Sequence, residues 1–218
     1  MKIKENIEIK YSNTQVDYSE SLKFMENRVY AINQEKSEEL IWFLNHDHIY
    51  TIGTSGNKNE IHTANNLPIF ETNRGGKVTY HGPGQRIIYF MINLSNRNKD
   101  IRKFVSVIEK SIIYLLKDLN IEAQTYPDRI GIWVTKNQNV KLDKEKKIGA
   151  IGLRIKKWVT YHGVSFNINT DLKHYDKIYA CGLKEYDNTS IKDLNVNLSY
   201  EDFDKIFLNY FLKELTKL

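Results

Sequence analysis

The chain has 218 residues, 41% of them hydrophobic and 27% charged, with a formal net charge of +5. That balance suits a globular chain with a substantial core and excludes disordered and fibrous classes. No apolar run approaches the ~20 residues a membrane-spanning helix needs, and the opening M-K-I-K-E-N-I-E-I-K lacks the apolar stretch of a secretory signal. With three prolines and no linker-like run, one domain over residues 1–218 is expected, in the cytoplasm and with no membrane partner.

Residues 6–12 alternate weakly, as a first short strand does. Asp17 and Glu20 form a capping-box pattern, and Leu22, Met25, Val29 and Ile32 follow at helical spacing, which predicts a helix over 17–34. Leu40 to Leu44 (L-I-W-F-L) is a continuous apolar run, the mark of a strand covered on both faces. His46 and His48 follow without a third ligand in register, so they read as a strand-end pair and no metal is expected. After a turn at Ile49–Gly56 comes R-G-G-K-V-T-Y-H-G-P-G-Q, Arg74 to Gln85, leading into a predicted strand over 86–94. Its glycines allow close approach of backbone to a ligand, with Arg74 and His81 as a cation and a titratable donor. A turn that uses glycine for backbone reasons alone explains the stretch equally well. It is neither a phosphate-binding P-loop nor a dinucleotide fingerprint.

Asp100 caps the clearest helix, predicted over 100–119 on an apolar face from Ile101 to Leu119, with Asn120 as its stop. Residues 129–135 read as a strand and the polar run over 136–146 as an exposed hairpin loop, before Lys147 begins the return. Thr160-Tyr161-His162-Gly163 echoes Thr79-Tyr80-His81-Gly82. Ser199 and Asp202 open a last helix, predicted over 199–217. The fold class is α/β, with strands in the middle and helices around them.

Cys181 is the only cysteine, so it is either a packing residue or a reactive one. A thiol attacks as its thiolate and needs a base or cation nearby; Lys147, Arg154, Lys156, Lys157 and His162 are the candidates. Between Arg129 and His162 nine Lys or Arg face two Asp or Glu, a balance of +7 that leaves −2 for the rest. Such a field attracts an acidic partner, protein or nucleic acid, and is equally a plain solvated hairpin.

Four blocks now stand in one order: R-G-G-K-V-T-Y-H-G-P-G-Q, K-I-G-A-I-G-L-R-I (147–155), T-Y-H-G-V-S-F-N (160–167) and A-C-G (180–182). Together they resemble the octanoyltransferases of lipoate biosynthesis, and the likeness covers nearly the whole chain. The resemblance implies a biotin/lipoate protein ligase-like catalytic domain, a mixed β-sheet flanked by helices. It implies transfer of an octanoyl group from octanoyl-acyl carrier protein to a lysine of lipoyl domains, those of 2-oxoacid dehydrogenases and the glycine cleavage H protein. Cys181 matches the nucleophile that carries the acyl group as a thioester, and Lys147 its neighbouring lysine. Arg74, Gly75, Gly76, Lys77, Val78, Thr79, Tyr80 and His81 match substrate-binding positions, as do Ala150, Ile151, Gly152, Gly163, Val164 and Ser165. No cofactor, metal or nucleic acid is implied, and a monomer is expected. Ala180 stands where the family usually has proline, and Ser165 where it usually has alanine, adding a hydroxyl at the acyl site.

Thiol–thioester exchange is nearly isoenergetic, so this chemistry needs no ATP, in keeping with the missing nucleotide loop. Seven buried carbons at ~0.8 kcal/mol each supply about 5–6 kcal/mol of acyl binding. The alternative on the same fold is an ATP-dependent lipoate or biotin ligase, which dispenses with the cysteine. A thioesterase would release free acid, and a basic nucleic-acid module would bind with steep salt dependence.

Overall fold

The computed structural model describes residues 6–63, 66–178 and 186–218. In chain order the elements are β1 (Ile7–Tyr11), α1 (Tyr18–Asn33), β2 (Glu39–Leu44), β3 (Ile49–Ile52), β4 (Ile69–Glu71), β5 (Val78–His81) and β6 (Gln85–Met91). They continue with α2 (Ile101–Asp118), β7 (Ile121–Gln124), β8 (Ile132–Asn137), β9 (Val140–Lys156), β10 (Val159–Asn167) and α3 (Tyr200–Leu215). Each helix starts at its expected cap. The Asp17 carboxylate accepts the Glu20 N–H at 2.9 Å, Asp100 that of Lys103 at 3.0 Å, and the Ser199 hydroxyl that of Asp202 at 3.0 Å. Asn120, at φ +58°, takes the left-handed conformation that stops α2.

Seven strands form one sheet in the order β1-β2-β6-β10-β9-β8-β7, parallel at β1/β2 and antiparallel elsewhere. This is the mixed sheet flanked by helices that the sequence implies. The apolar run of β2 is buried on both sides for a visible reason. Ile41 and Phe43 join the core built with α2 and α3, while Leu40, Trp42 and Leu44 face α1. In β6, Ile88 and Phe90 divide from Ile87, Tyr89 and Met91 in the same way. No described helix is long and apolar enough to cross a membrane.

Two parts differ from the sequence reading. The first is a second sheet, β4-β3-β5, formed by segments read as turns and a glycine-rich loop. Its core is a small cluster that includes Tyr50, Ile52, Val78, Tyr80 and Tyr175. The second is the polar stretch after β8, which is strand from Val140 onward. The turn is confined to Gln138 and Asn139, at φ +47° and +66°, a pair of left-handed residues that closes a hairpin in two positions. Lys141, Asp143 and Lys144 are exposed along this projecting ribbon, whereas Glu145 is half-buried and pairs with Arg129.

Candidate active site

The groove begins with what β9 and β10 leave out. Opposite α2 and α3, these strands present Ala150 paired with Ser165 and Gly152 paired with Gly163, so the floor of the sheet is low there. The Arg74–His81 segment and β3 lie across that floor. The Gly75 N–H donates to the Leu153 carbonyl at 3.1 Å, and a Cβ on Gly152 would come within 2.7 Å of the Gly75 oxygen. Glycine at 152 is therefore what lets roof and floor approach. Between them lies a narrow cavity of about 50 Å³.

The expected substrate-binding residues largely converge on this cavity. Arg74, Gly76, Lys77, Thr79 and His81 line one side, and Ala150, Ile151, Gly152, Gly163, Val164 and Ser165 the other. Val78 and Tyr80 turn away into the small cluster behind, as alternation along β5 demands. Gly75 contributes its backbone. Arg74 is a strut. Its Nη2 donates to the Thr51 and Lys77 carbonyls, each at 2.7 Å, and its Nη1 to the Gly75 carbonyl at 2.9 Å. The roof is thereby tied to β3.

Two histidines border the cavity, both neutral near pH 7. Burial pushes His81 and His162 down to about 3, the Arg74 charge acting in the same direction. The Gln85 carboxamide oxygen accepts from His81 Nδ1 at 2.7 Å, and the Asn73 oxygen accepts from His162 Nε2 at 3.0 Å. His162, at φ +58°, occupies a backbone region unusual for a non-glycine residue. That turn brings its ring toward Tyr89 and the cavity, whereas its neighbours Val164 and Phe166 enter the α2–α3 core. His46 and His48 are held by Tyr89 and Tyr80 hydroxyls at 2.7 and 2.6 Å, and no metal-ligating cluster exists among the described residues.

Lys147 stands at one end of the groove, in a small recess continuous with the cavity through Thr79, Ala150 and Ser165. It is 4% exposed, and its Nζ donates to the Ile130 carbonyl at 2.9 Å and lies 5.4 Å from the Trp133 ring centroid. A β-bulge puts it there. Ile132 pairs with Gly149 but Trp133 with Lys147, so β9 spends two residues against one of β8. Ile148 goes into the α2–α3 core and Lys147 onto the groove face. The Lys147 N–H donates to the Asp187 carbonyl at 2.9 Å, and the Lys147 carbonyl accepts the Thr189 N–H at 2.8 Å.

Cys181 lies outside the described residues, as do Ala180 and Gly182. Its flanks are placed: Ile178 bridges to Ile61, and Asn188 runs parallel to Lys147. Of the five candidate activating groups, Lys147 is the one whose backbone is hydrogen-bonded to the chain that follows this segment. Arg154, Lys156 and Lys157 are exposed toward the far end of β9; Lys156 is nine residues from Lys147, about 30 Å along an extended strand. His162 is uncharged.

Sequence reasoning missed Gly131, Gln85, Asn167 and Tyr175. Gln85 Nε2 donates to Asn167 Oδ1 at 3.0 Å and to the Tyr175 hydroxyl at 2.9 Å, and Asn167 Nδ2 donates to the Thr189 carbonyl at 3.0 Å. This buried chain links His81 to the strand that braces Lys147. The available signal was position: Gln85 and Asn167 close two of the motif blocks.

A narrow groove between two sheets, floored by paired small residues, ends at a buried lysine. Residues 17–212 match the lipoyl protein ligase A/B catalytic domain, and the chain belongs to that family. It is 49% identical over 199 residues to an octanoyltransferase of Ehrlichia canis, covering 91% of each chain. It is 46% identical to that of Ehrlichia chaffeensis, covering 94% of each. Among solved structures, the bi-partite lipoate protein ligase of Thermoplasma acidophilum superposes with a TM-score of 0.67 at 15% identity, covering 97% of this chain and 85% of that one. The last likeness concerns the fold.

Proposed function

We propose that this chain is an octanoyltransferase of lipoate synthesis, taking the acyl group from an acyl carrier protein and delivering it to a lipoyl-domain lysine. The high identity to named octanoyltransferases supports the activity. The observation that carries the mechanism is the pinning of Asp187–Thr189, which follows the Cys181 segment, to the backbone of buried Lys147. Seven residues separate the described ends at Ile178 and Tyr186, and Cys181 is the third of them.

In the first half-reaction the Cys181 thiolate attacks the donor's thioester carbonyl. A new C–S bond forms, the bond to the carrier breaks, and the carrier leaves as a thiol after taking the proton Cys181 gave up. In the second, the neutral acceptor amine attacks the acyl-cysteine. An amide C–N bond forms, the C–S bond breaks, and the amine proton returns to the Cys181 sulfur. Lys147, charged beside the thiol, favours the thiolate and relays these protons. The acyl chain lies along the small side chains of Ala150 and Ser165, beside the close approach of roof and floor at Gly152. The enzyme acts as a monomer.

The test is an intact mass spectrum after brief incubation with octanoyl-carrier protein and no ATP. One octanoyl group gained, absent in Cys181→Ser and discharged by an apo lipoyl domain, is the expected result. Folded protein that gains no adduct, and turns over only with ATP and free acid, would replace this reading with a ligase.

A further inference from the structure

Arg129 shares the Trp133 ring with Lys147, and its surroundings are unusual. Its side chain is 9% exposed. The guanidinium carbon lies 3.8 Å from the Tyr126 ring centroid, 4.3 Å from that of Tyr186 and 4.7 Å from that of Trp133, and its edge is ion-paired with Glu145. A guanidinium can stack on several rings while its edge donates hydrogen bonds; an ammonium has no such plane. The three rings belong to three different walls. Tyr126 precedes the Asp128–Gly131 turn, Trp133 stands in β8 under Lys147, and Tyr186 is the first described residue after the Cys181 segment. Trp133 and Tyr186 also meet edge to face, with centroids 5.0 Å apart.

The same residue sets the backbone of the recess. The Arg129 carbonyl accepts the Trp133 indole N–H at 3.1 Å, and the next carbonyl, Ile130, accepts Lys147 Nζ at 2.9 Å. The Arg129 side chain therefore meets the ring beneath the lysine and the first described residue after the Cys181 segment, and its backbone runs directly into the lysine's acceptor. We propose that Arg129 is a positioning residue for acyl transfer: its guanidinium, clamped among Tyr126, Trp133 and Tyr186, fixes the Arg129–Ile130 backbone and thereby the carbonyl that seats Lys147 Nζ. This rests on the thioester reading above. Arg129 touches no reacting atom in it. Without the guanidinium the Ile130 carbonyl shifts and Lys147 Nζ with it, which costs the thioester chemistry its alignment and leaves the acyl groove as it was.

The experiment is single-turnover octanoyl-adduct formation on the full chain, followed by intact mass across pH and donor concentration, with thermal melts alongside. The variants are Arg129→Met, Arg129→Lys, Tyr186→Leu and Cys181→Ser. Arg129→Met is expected to lower the maximal rate about 10- to 100-fold, as ångström-scale misplacement does. The donor concentration at half-maximal rate should stay within about threefold, and the pH midpoint of the rate should move upward as the thiol loses its neighbouring charge. Arg129→Lys should recover part of the rate, and Tyr186→Leu should shift both quantities the same way by less. Wild-type rate and pH midpoint in Arg129→Met overturn the proposal; if that variant does not fold, the same result in Tyr186→Leu overturns it. An adduct on Cys181→Ser would overturn the thioester reading and this inference with it.

Discussion

Gly131→Ala tests the recess from the side away from the chemistry. Gly131 has φ +143°, and a Cβ there would come within 2.4 Å of Lys147 Cε, 3.0 Å of its Nζ and 2.9 Å of the Gly149 carbonyl. Two costs follow. An L side chain in that backbone region costs about 1–3 kcal/mol. Relieving the clash moves Lys147 off the Ile130 carbonyl, a charged hydrogen bond worth about 1.5–3 kcal/mol. The substitution should destabilise the fold by roughly 3–6 kcal/mol. In a Lys147→Ala background the second cost is absent, so the same substitution should cost about 1.5–3 kcal/mol less. Urea unfolding of the four proteins in this cycle measures the difference. Equal costs in both backgrounds, within about 0.5 kcal/mol, would refute the claim that glycine is needed at 131 to seat the lysine.

Burial holds His46 near 4 and His81 and His162 near 3, all below the free value of 6.5. Their unfolded forms take protons first, so stability is full above pH 6.5 and falls as pH drops toward 4, by about 1 kcal/mol per pH unit for each histidine. His81→Gln should flatten that fall in urea midpoints measured from pH 7 to 4.5; an unchanged slope would count against a neutral, buried His81. Ser165→Leu should fill the groove floor, cutting octanoyl transfer at least about tenfold more than butyryl transfer. Equal losses for both chain lengths would place the acyl chain elsewhere.

Much of this was written locally. Caps at Asp17, Asp100 and Ser199, the stop at Asn120 and the two-sided burial of Leu40–Leu44 follow from short-range rules, because each depends on residues within one or two turns. Ala150, Gly152, Gly163 and Ser165 were also visible, as substrate-binding positions that the resemblance implies. The second sheet was not: β5 has four residues, sits inside a glycine-rich stretch and pairs with β3 across 26 to 32 positions, Tyr50 to Tyr80 among them. Nor was the lysine's direction. Counting by twos from Ala150 sends Lys147 into the α2–α3 core, and counting from Val164 does the same to His162. A bulge at Ile148 and a left-handed residue at 162 reverse both. Sequence by itself determined the three helices with their caps, the central apolar strands and, through the resemblance, the chemistry expected of Cys181 and Lys147. Only the tertiary structure decided which face the lysine occupies, because a bulge arises from pairing with β8 and with Asp187–Thr189, partners no local pattern can name.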